Sequence, residues 1–403
     1  MASVVLKSHF DDDIFYSAKV IDVNRKRLNT PFTVLNTRQD INAIPSGFKN
    51  HFYEAWKTIN IQEVKEAPFN NTIALSLRNK ILSANNQALP SEPRIFFLNL
   101  KGFDAGTNPF AILNENLLKM LLDSYYLQTN IIAFPIIQKI TEVVKNASLC
   151  SLYEEYIQKC YDIAETLNTK PIMGVIPAIP QNFIARIVKK YIALGISNFC
   201  FDFEGSSLST YFPHYREFLR TLYLHDKKTF GEKLVHVINM KLPSNMNRNQ
   251  PFPAEDMLTP AIGADIIGIN HTNFGRKELP LTSKQGKGKK KSPVRMNLLD
   301  IEQYSYHRVE SLDEFKEIFP NALVKPSFSE LASVNAQNRT NFSRTFNYCQ
   351  SNQELSNIHE NIINNMSVVQ ILNQKAGIKD QLATKVRGMK NFVNSKKLDD
   401  FFH

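Results

Sequence analysis

Apolar and polar positions along the chain follow two periods, and their alternation sets the expected architecture. From Lys170 to Gly205 a short apolar run, Ile172 to Ile176, predicts a buried strand. Pro180 and Gln181 then open an amphipathic segment in which Phe183, Ile184, Ile187, Val188 and Tyr191 recur at helical spacing, with a stop at Gly195. A second strand, Ser197 to Phe203, follows at once. Strand, helix and strand in so few residues form a parallel unit. Nearer the N-terminus, FYSAKVIDVNRKRLNTPFTVLNTR alternates on both sides of Asn24 to Arg27, as an antiparallel hairpin would. A polar, helix-rich stretch is expected from there to about Pro93. Ile95 to Leu100 and Asn130 to Pro135 read as strands. Asn114 to Tyr126 reads as a helix capped by Asn114, and Glu142 to Leu167 as a long helical stretch. Leu234 to Met240 is another strand, followed by a Pro-rich loop entering a helix. Gly263 begins GADIIGINH, a strand ending in Asn270 and His271, and helices dominate after about Glu310.

Regular strand and helix alternation favours a parallel sheet, and the number of units favours a closed one. The expected fold class is therefore α/β: a TIM-type (β/α)8 barrel with an N-terminal antiparallel hairpin and a C-terminal helical extension. The expected division is a barrel with its hairpin over 1–310, a helical region over 311–393 and a flexible tail over 394–403. In the 403 residues no apolar run approaches the roughly 20 that a membrane helix needs. The opening MASVVLKSHFDDD lacks the basic and apolar regions of a signal peptide. A soluble intracellular protein is expected, cytoplasmic, or nuclear in a eukaryote. Cys150, Cys160, Cys200 and Cys349 form no CxxC pair, so they read as reduced, mostly buried thiols. The formal charge of +10 favours a polyanionic partner, nucleic acid first.

Candidate chemistry gathers at strand ends. Asp202 and Glu204 stand at i and i+2, which a strand places on one face, at the carboxyl end where α/β barrels keep their chemistry. Asp265 is a third carboxylate, catalytic or buried and structural in mid-strand. His271 is a proton carrier or simply a solvated strand-end histidine. The segment TSKQGKGKKKSPVR carries Lys284, Lys287, Lys289, Lys290, Lys291 and Arg295 without apolar periodicity. It reads either as a plain surface loop or as a phosphate-contacting loop.

Three stretches resemble the tRNA-guanine transglycosylase family, whose members exchange a guanine in nucleic acid for a 7-deazaguanine on a TIM-type barrel. IDVNRKRLNTPFTVLNTR, with Thr30 and Pro31, is similar to the family's opening hairpin. PIMGVIP followed by LGISNFCFDFEG is similar to its base-binding strand, helix and strand, and GADIIGINH with LPLTSKQG to the strand that bears its nucleophile. The departures are specific. Gly268 stands where the resemblance implies the nucleophilic Asp, and Pro177 where it implies the base-reading Gln. Phe203 and Glu204 replace backbone glycines. Asp104 is the nearest candidate for the family's second Asp. The implied zinc site is reduced to Cys349 with His359 nearby, too few ligands to close a tetrahedral site, so no cofactor is expected. The resemblance implies a base exchange or excision in which one carboxylate attacks the sugar C1′ and a second acid handles protons, with Asp202 or Glu204 substituting for the missing Asp. A non-catalytic binding paralogue is the alternative.

The tail SKKLDDFFH places Leu398, Phe401 and Phe402 on one side of a helical turn. It resembles the sliding-clamp-binding motif of replication and repair proteins, with Ser395 where that motif prefers Gln; the other reading is a tail folded back on the barrel. A clamp tether makes DNA the preferred substrate over tRNA, with the target base flipped out of the duplex.

Overall fold

The computed structural model describes residues 4–10, 17–36, 44–45, 48, 51–83, 92–103, 108–167, 170–225, 229–241, 251–272, 296–322, 324–325, 336–366, 368–373, 375, 384 and 388. The chain opens with a three-stranded antiparallel sheet: β1 (Val5–Phe10), β2 (Ser17–Val23) and β3 (Lys26–Thr30). Asn24 and Arg25 join the last two with φ of 56° and 63°. Positive φ at both central residues gives a turn whose twist matches that of its strands. The expected hairpin is present, with β1 added to its edge.

The main sheet follows. Its first segment is broken at Val34 into β4 (Phe32–Thr33) and β5 (Leu35–Asn36). Then come β6 (Tyr53–Asn60), β7 (Arg94–Lys101), β8 (Ile131–Ala133), β9 (Ile136–Ile137), β10 (Ile172–Pro177), β11 (Asn198–Asp202) and β12 (Leu234–Ile238). After the short β13 (Phe252–Pro253), β14 (Ile266–Ile267) completes the sheet. All its pairings are parallel. β5 pairs with β6 while β4 pairs with β14, so the first segment bonds to both ends of the strand series. Phe32 N and Val34 N donate to the carbonyls of Asp265 and Ile267, and Leu35 N donates to that of Phe52. The fold is thus mixed α/β around a nearly closed, barrel-like parallel sheet. A third sheet joins β13, β15 (Met296–Asp300) and β16 (Ser305–Val309).

Helices connect the strands. α1 (Ile61–Glu66) and α2 (Asn71–Leu82) follow β6, and α3 (Pro109–Ile112) and α4 (Glu115–Tyr126) follow β7. α5 (Ile140–Val143) and α6 (Ala147–Leu167) precede β10, α7 (Gln181–Ala193) follows it, and α8 (Leu208–His225) follows β11. Among the described residues after β16 lie α9 (Leu312–Ile318), α10 (Ala336–Ile363) and α11 (Val368–Asn373). No helix among the described residues is long and apolar enough to cross a membrane.

The strand pleat divides the core in two. On β7, Ile95 and Phe97 join an inner cluster with Met173, Val175, Cys200 and Ile266, whereas Phe96, Leu98 and Leu100 face the helices. The near-continuous apolar runs of the sequence record this burial on both faces. α7 shows the helix side: Ile184, Ile187, Val188 and Tyr191 are essentially fully buried, each worth about 1.5–3 kcal/mol of transfer free energy. A Cβ on Gly174 would lie 2.8 Å from the Tyr191 ring, so the missing side chain in β10 is what lets α7 approach.

Three expectations change. The helix-rich stretch before Pro93 also holds β6, a full strand of the main sheet. The long helix begins at Ala147 because Asn146 caps it, accepting from Leu149 N at 3.0 Å. GADIIGINH is a strand only over Ile266–Ile267.

Candidate functional site

Asp202 ends β11, paired in register with Ile238 on one side and Pro177 on the other. The chain then turns sharply: Glu204 and Gly205 have φ of 47° and 81°. Asp202 and Glu204 therefore meet through a left-handed turn, not through strand alternation as expected, because the strand stops between them. Asp202 Oδ1 accepts from Glu204 N and from Asn239 Nδ2, both at 2.8 Å. Gly205 is required twice over: its φ suits only glycine comfortably, and a Cβ there would meet Thr272 Oγ1 at 2.5 Å.

Both acids line a cleft of about 400 Å3 at the carboxyl ends of the strands. Its other walls include Trp56 and Thr58 of β6, Asn99 and Lys101 of β7, Asn239 after β12, and His271 after β14. Pro177, where the resemblance implies a glutamine, is buried beside Asp202 and offers no side-chain donor. Burial pushes the Asp202 carboxyl up to about 6, against the hydrogen bonds from Asn239 and Glu204 N. Burial, and then the charge of Asp202, push Glu204 further, to about 8, although Thr141 Oγ1 donates to its Oε2 at 2.9 Å. Near neutral pH the deeper acid is mostly ionised and its neighbour mostly protonated. Such a split equips one pair of carboxylates with two roles.

Beneath the cleft lies a group that the sequence reading did not single out as a site. Glu54, in β6, is fully buried. Its Oε1 accepts from His271 Nε2 at 2.6 Å and from Ile269 N at 2.9 Å. Its Oε2 lies 2.8 Å from His236 Nε2. Burial alone would raise the Glu54 carboxyl, but the two imidazoles outweigh it and hold it near 2. His271 stacks on Trp56, ring centroids 4.7 Å apart and 7° from parallel. Trp56 Nε1 in turn donates to Thr58 Oγ1 at 3.1 Å, which also accepts from Asn99 Nδ2 at 3.2 Å. The signal was present: Glu54, Trp56 and Thr58 alternate with Ala55, Lys57 and Ile59, but Glu54 and Thr58 on one face and Lys57 on the other hid the strand.

The other predicted residues fall elsewhere. Asp265 is at the amino end of β14, fully buried, and is not brought to the cleft. It receives Lys19 Nζ at 2.7 Å, Ser17 Oγ at 3.0 Å and Val235 N at 2.8 Å, and so ties the N-terminal sheet to the main one. Cys349 and His359 both lie on α10 ten residues apart, about 15 Å along the axis at 1.5 Å per residue. Cys349 packs against Leu35 and Tyr53, and His359 Nδ1 donates to Thr30 O at 2.6 Å. Among the described residues no three histidine, cysteine or acidic side chains are placed to hold a metal ion. Lys284, Lys287, Lys289, Lys290, Lys291 and Arg295 lie outside the described residues, as do Asp104, Leu398, Phe401 and Phe402.

No family model and no curated protein matches the chain. Among solved structures, the enoyl reductase domain of MlnA from the macrolactin biosynthesis cluster of Bacillus amyloliquefaciens is 10% identical over 88% of this chain and 91% of its own. Its TM-score of 0.28 is too low to carry any argument about fold or activity.

Proposed function

We propose that this chain is a nucleic-acid-modifying enzyme similar to tRNA-guanine transglycosylases, and that its nearly closed sheet is a TIM-type (β/α)8 barrel working at its carboxyl end. The reaction is cleavage or exchange of a purine base, of the guanine or 7-deazaguanine type, in DNA or tRNA. One observation carries this reading: Asp202 and Glu204 share one cleft, the first held mostly ionised and the second mostly protonated at neutral pH.

The chemistry follows from those charge states. Glu204 gives its proton to the departing purine as the bond between the base and C1′ breaks, and the Asp202 carboxylate forms an ester bond to C1′. An incoming base, or water, later displaces Asp202. The net charge of +10 favours nucleic acid, and the pattern of Leu398, Phe401 and Phe402 favours DNA over tRNA, with a sliding clamp as the partner at the tail and the basic run from Lys284 to Arg295 on the phosphates.

Purified full-length protein incubated with duplex DNA and with tRNA should release or exchange a purine. Asp202→Asn and Glu204→Gln should each lower turnover by about 10²–10⁴-fold. Binding that is retained and steeply salt-dependent, with no base release from the wild-type protein, would instead identify a non-catalytic nucleic-acid-binding subunit.

A further inference from the structure

Asn239 follows β12 directly and is buried, and its backbone and side-chain polar atoms are all engaged at the mouth of the sheet. Its backbone N donates to Ile269 O at 3.1 Å, and its carbonyl accepts from Gly205 N at 2.8 Å. Its side-chain Oδ1 accepts from His271 N and its Nδ2 donates to Asp202 Oδ1, both at 2.8 Å. The backbone donor fixes which way the amide points: the oxygen must face the His271 N–H, so the NH2 must face the carboxylate. A φ of 56° adds a second demand, because that left-handed region suits Gly, Asn and Asp and strains most other residues. Glycine would bring no side chain, and an ionised aspartate would accept where a donor is needed. Asparagine meets both demands.

The consequence falls on Asp202. Its Oδ1 takes both donors, Asn239 Nδ2 and Glu204 N, and no donor among the described residues reaches its Oδ2. One oxygen of the carboxylate is therefore held, and the other keeps its lone pairs for a ligand in the cleft that Asp202 lines. Attack on a sugar carbon uses that division, since the held oxygen fixes the direction of the group and the free one carries the reacting pair. We infer, resting on the glycosidic reading above, that Asp202 Oδ2 is the atom that bonds to C1′ and that Asn239 is the positioning residue that selects it.

In the first step a lone pair of Oδ2 forms the bond to C1′ as the bond from C1′ to the base breaks. The pair of the broken bond goes to the purine, which takes the Glu204 proton. Oδ1 becomes the carbonyl oxygen of the ester and still accepts from Asn239 and Glu204 N. In the second step the incoming base or water gives its proton to the Glu204 carboxylate and its electron pair to C1′, and the ester bond returns its own pair to Oδ2.

The titratable and charged groups around Asp202 are Glu204 beside it, Cys200 on β11, Tyr153 on α6, Glu54 on β6 and His271 after β14, with Lys101 and Lys139 also lining the cleft. Burial raises the Asp202 carboxyl to about 6, and the Asn239 hydrogen bond works against burial. Asn239→Asp removes that donor and sets a second carboxylate against the first, so Asp202 ionises only at higher pH. Adduct formation needs ionised Asp202, so its rising limb moves up in the variant, toward the region near 8 where Glu204 loses its proton.

The experiment uses the full-length protein with guanine-containing duplex DNA and tRNA in single turnover. Peptide mass spectrometry of the trapped adduct should place the sugar on Asp202. Asn239→Asp should slow adduct formation at pH 7 by about 10–100-fold, the worth of a hydrogen bond to a charged group. It should also move the rising limb of the pH profile to higher pH and leave nucleic-acid affinity unchanged. Asn239→Gly, which suits the same φ and adds no charge, should move the limb the same way by less. Side-chain carbon-13 NMR of Asp202 reads the pair without turnover, and its titration midpoint should rise in Asn239→Asp. A merely structural Asn239 would lower the urea midpoints of both variants and leave limb and titration midpoint in place; with an active wild type, that result overturns the positioning role and keeps the glycosidic reading. An adduct on any residue but Asp202 overturns the assignment of the attacking atom. Wild-type protein that forms no adduct and releases no base overturns the glycosidic reading and this inference with it.

Discussion

At the scale of single residues, the most consequential contrast is between three carboxylates treated differently by their surroundings, Glu54 and Asp202 buried and Glu204 half-buried. Glu54 is held near 2 by two imidazoles, whereas burial raises Asp202 to about 6, and burial followed by the charge of Asp202 raises Glu204 to about 8. Each shift is also a statement about stability. Glu204 binds its proton more tightly folded than unfolded, so its favourable contribution is complete below about 4.5 and is lost as pH rises through about 8. Glu204→Gln carries no such penalty. Urea midpoints of the wild type should therefore fall more steeply between pH 5 and pH 9 than those of Glu204→Gln, in which Asp202 alone of the pair keeps a raised carboxyl, with the variant the more stable at pH 9. Equal slopes for the two proteins would show that Glu204 is not held protonated. Glu54 has the opposite sign: its contribution is present above about 4.5 and is lost as pH falls toward 2.

At the scale of elements, Asp265 shows how a residue can look catalytic in sequence and be built for assembly. It lies just before β14, in the same short stretch as Gly268 and His271 beyond it, and there it neutralises the fully buried Lys19 of β2. Breaking a buried pair by removing one partner typically costs about 3–5 kcal/mol, because the other charge remains uncompensated. Asp265→Asn should lower the unfolding free energy by about that much and, with folded protein, leave the cleft chemistry unchanged; loss of turnover at full stability would place Asp265 in the reaction after all. The same segment shows what the sequence could reveal. The apolar runs of β7, β10, β11 and β12 announce themselves, since both faces of each strand are buried. β6 does not, because Glu54, Trp56 and Thr58 interrupt its apolar pattern on the inner face. The inner polar residues that erase a strand from the periodicity are the ones that build the floor of the site. Asp202 and Glu204 were legible as a pair, but their meeting depends on the left-handed turn at Glu204 and Gly205, which strand alternation does not anticipate. The Glu54–His271 contact spans 217 positions, and no local pattern encodes it.

At the scale of the whole molecule, the cleft's size and the chain's charge make different demands on a substrate. A volume of about 400 Å3 falls within the range of small-ligand pockets, about 300–1,000 Å3, and opens at the carboxyl ends of the strands. A base inside an intact duplex cannot reach acids at that depth, so a duplex substrate must extrude its target nucleotide. The cost of unstacking and unpairing is a few kcal/mol and is least for a mismatched or single-stranded base. On the nucleic-acid substrate proposed above, a net charge of +10 would act on the phosphates irrespective of the base. These two contributions separate experimentally. Raising salt from 50 to 200 mM should weaken binding to matched and mismatched duplexes alike, by about 10³–10⁵-fold for six to ten phosphate contacts. Placing the target purine in a mismatch should speed single-turnover base release at every salt concentration by one nearly constant factor, because the pairing lost at the target is the same throughout. Replacing the six basic residues Lys284, Lys287, Lys289, Lys290, Lys291 and Arg295 by alanine should flatten the salt dependence and leave the mismatch factor intact. A mismatch factor that vanished with those lysines would mean that the basic segment takes part in extrusion itself, and charge and cleft would then be one device and not two.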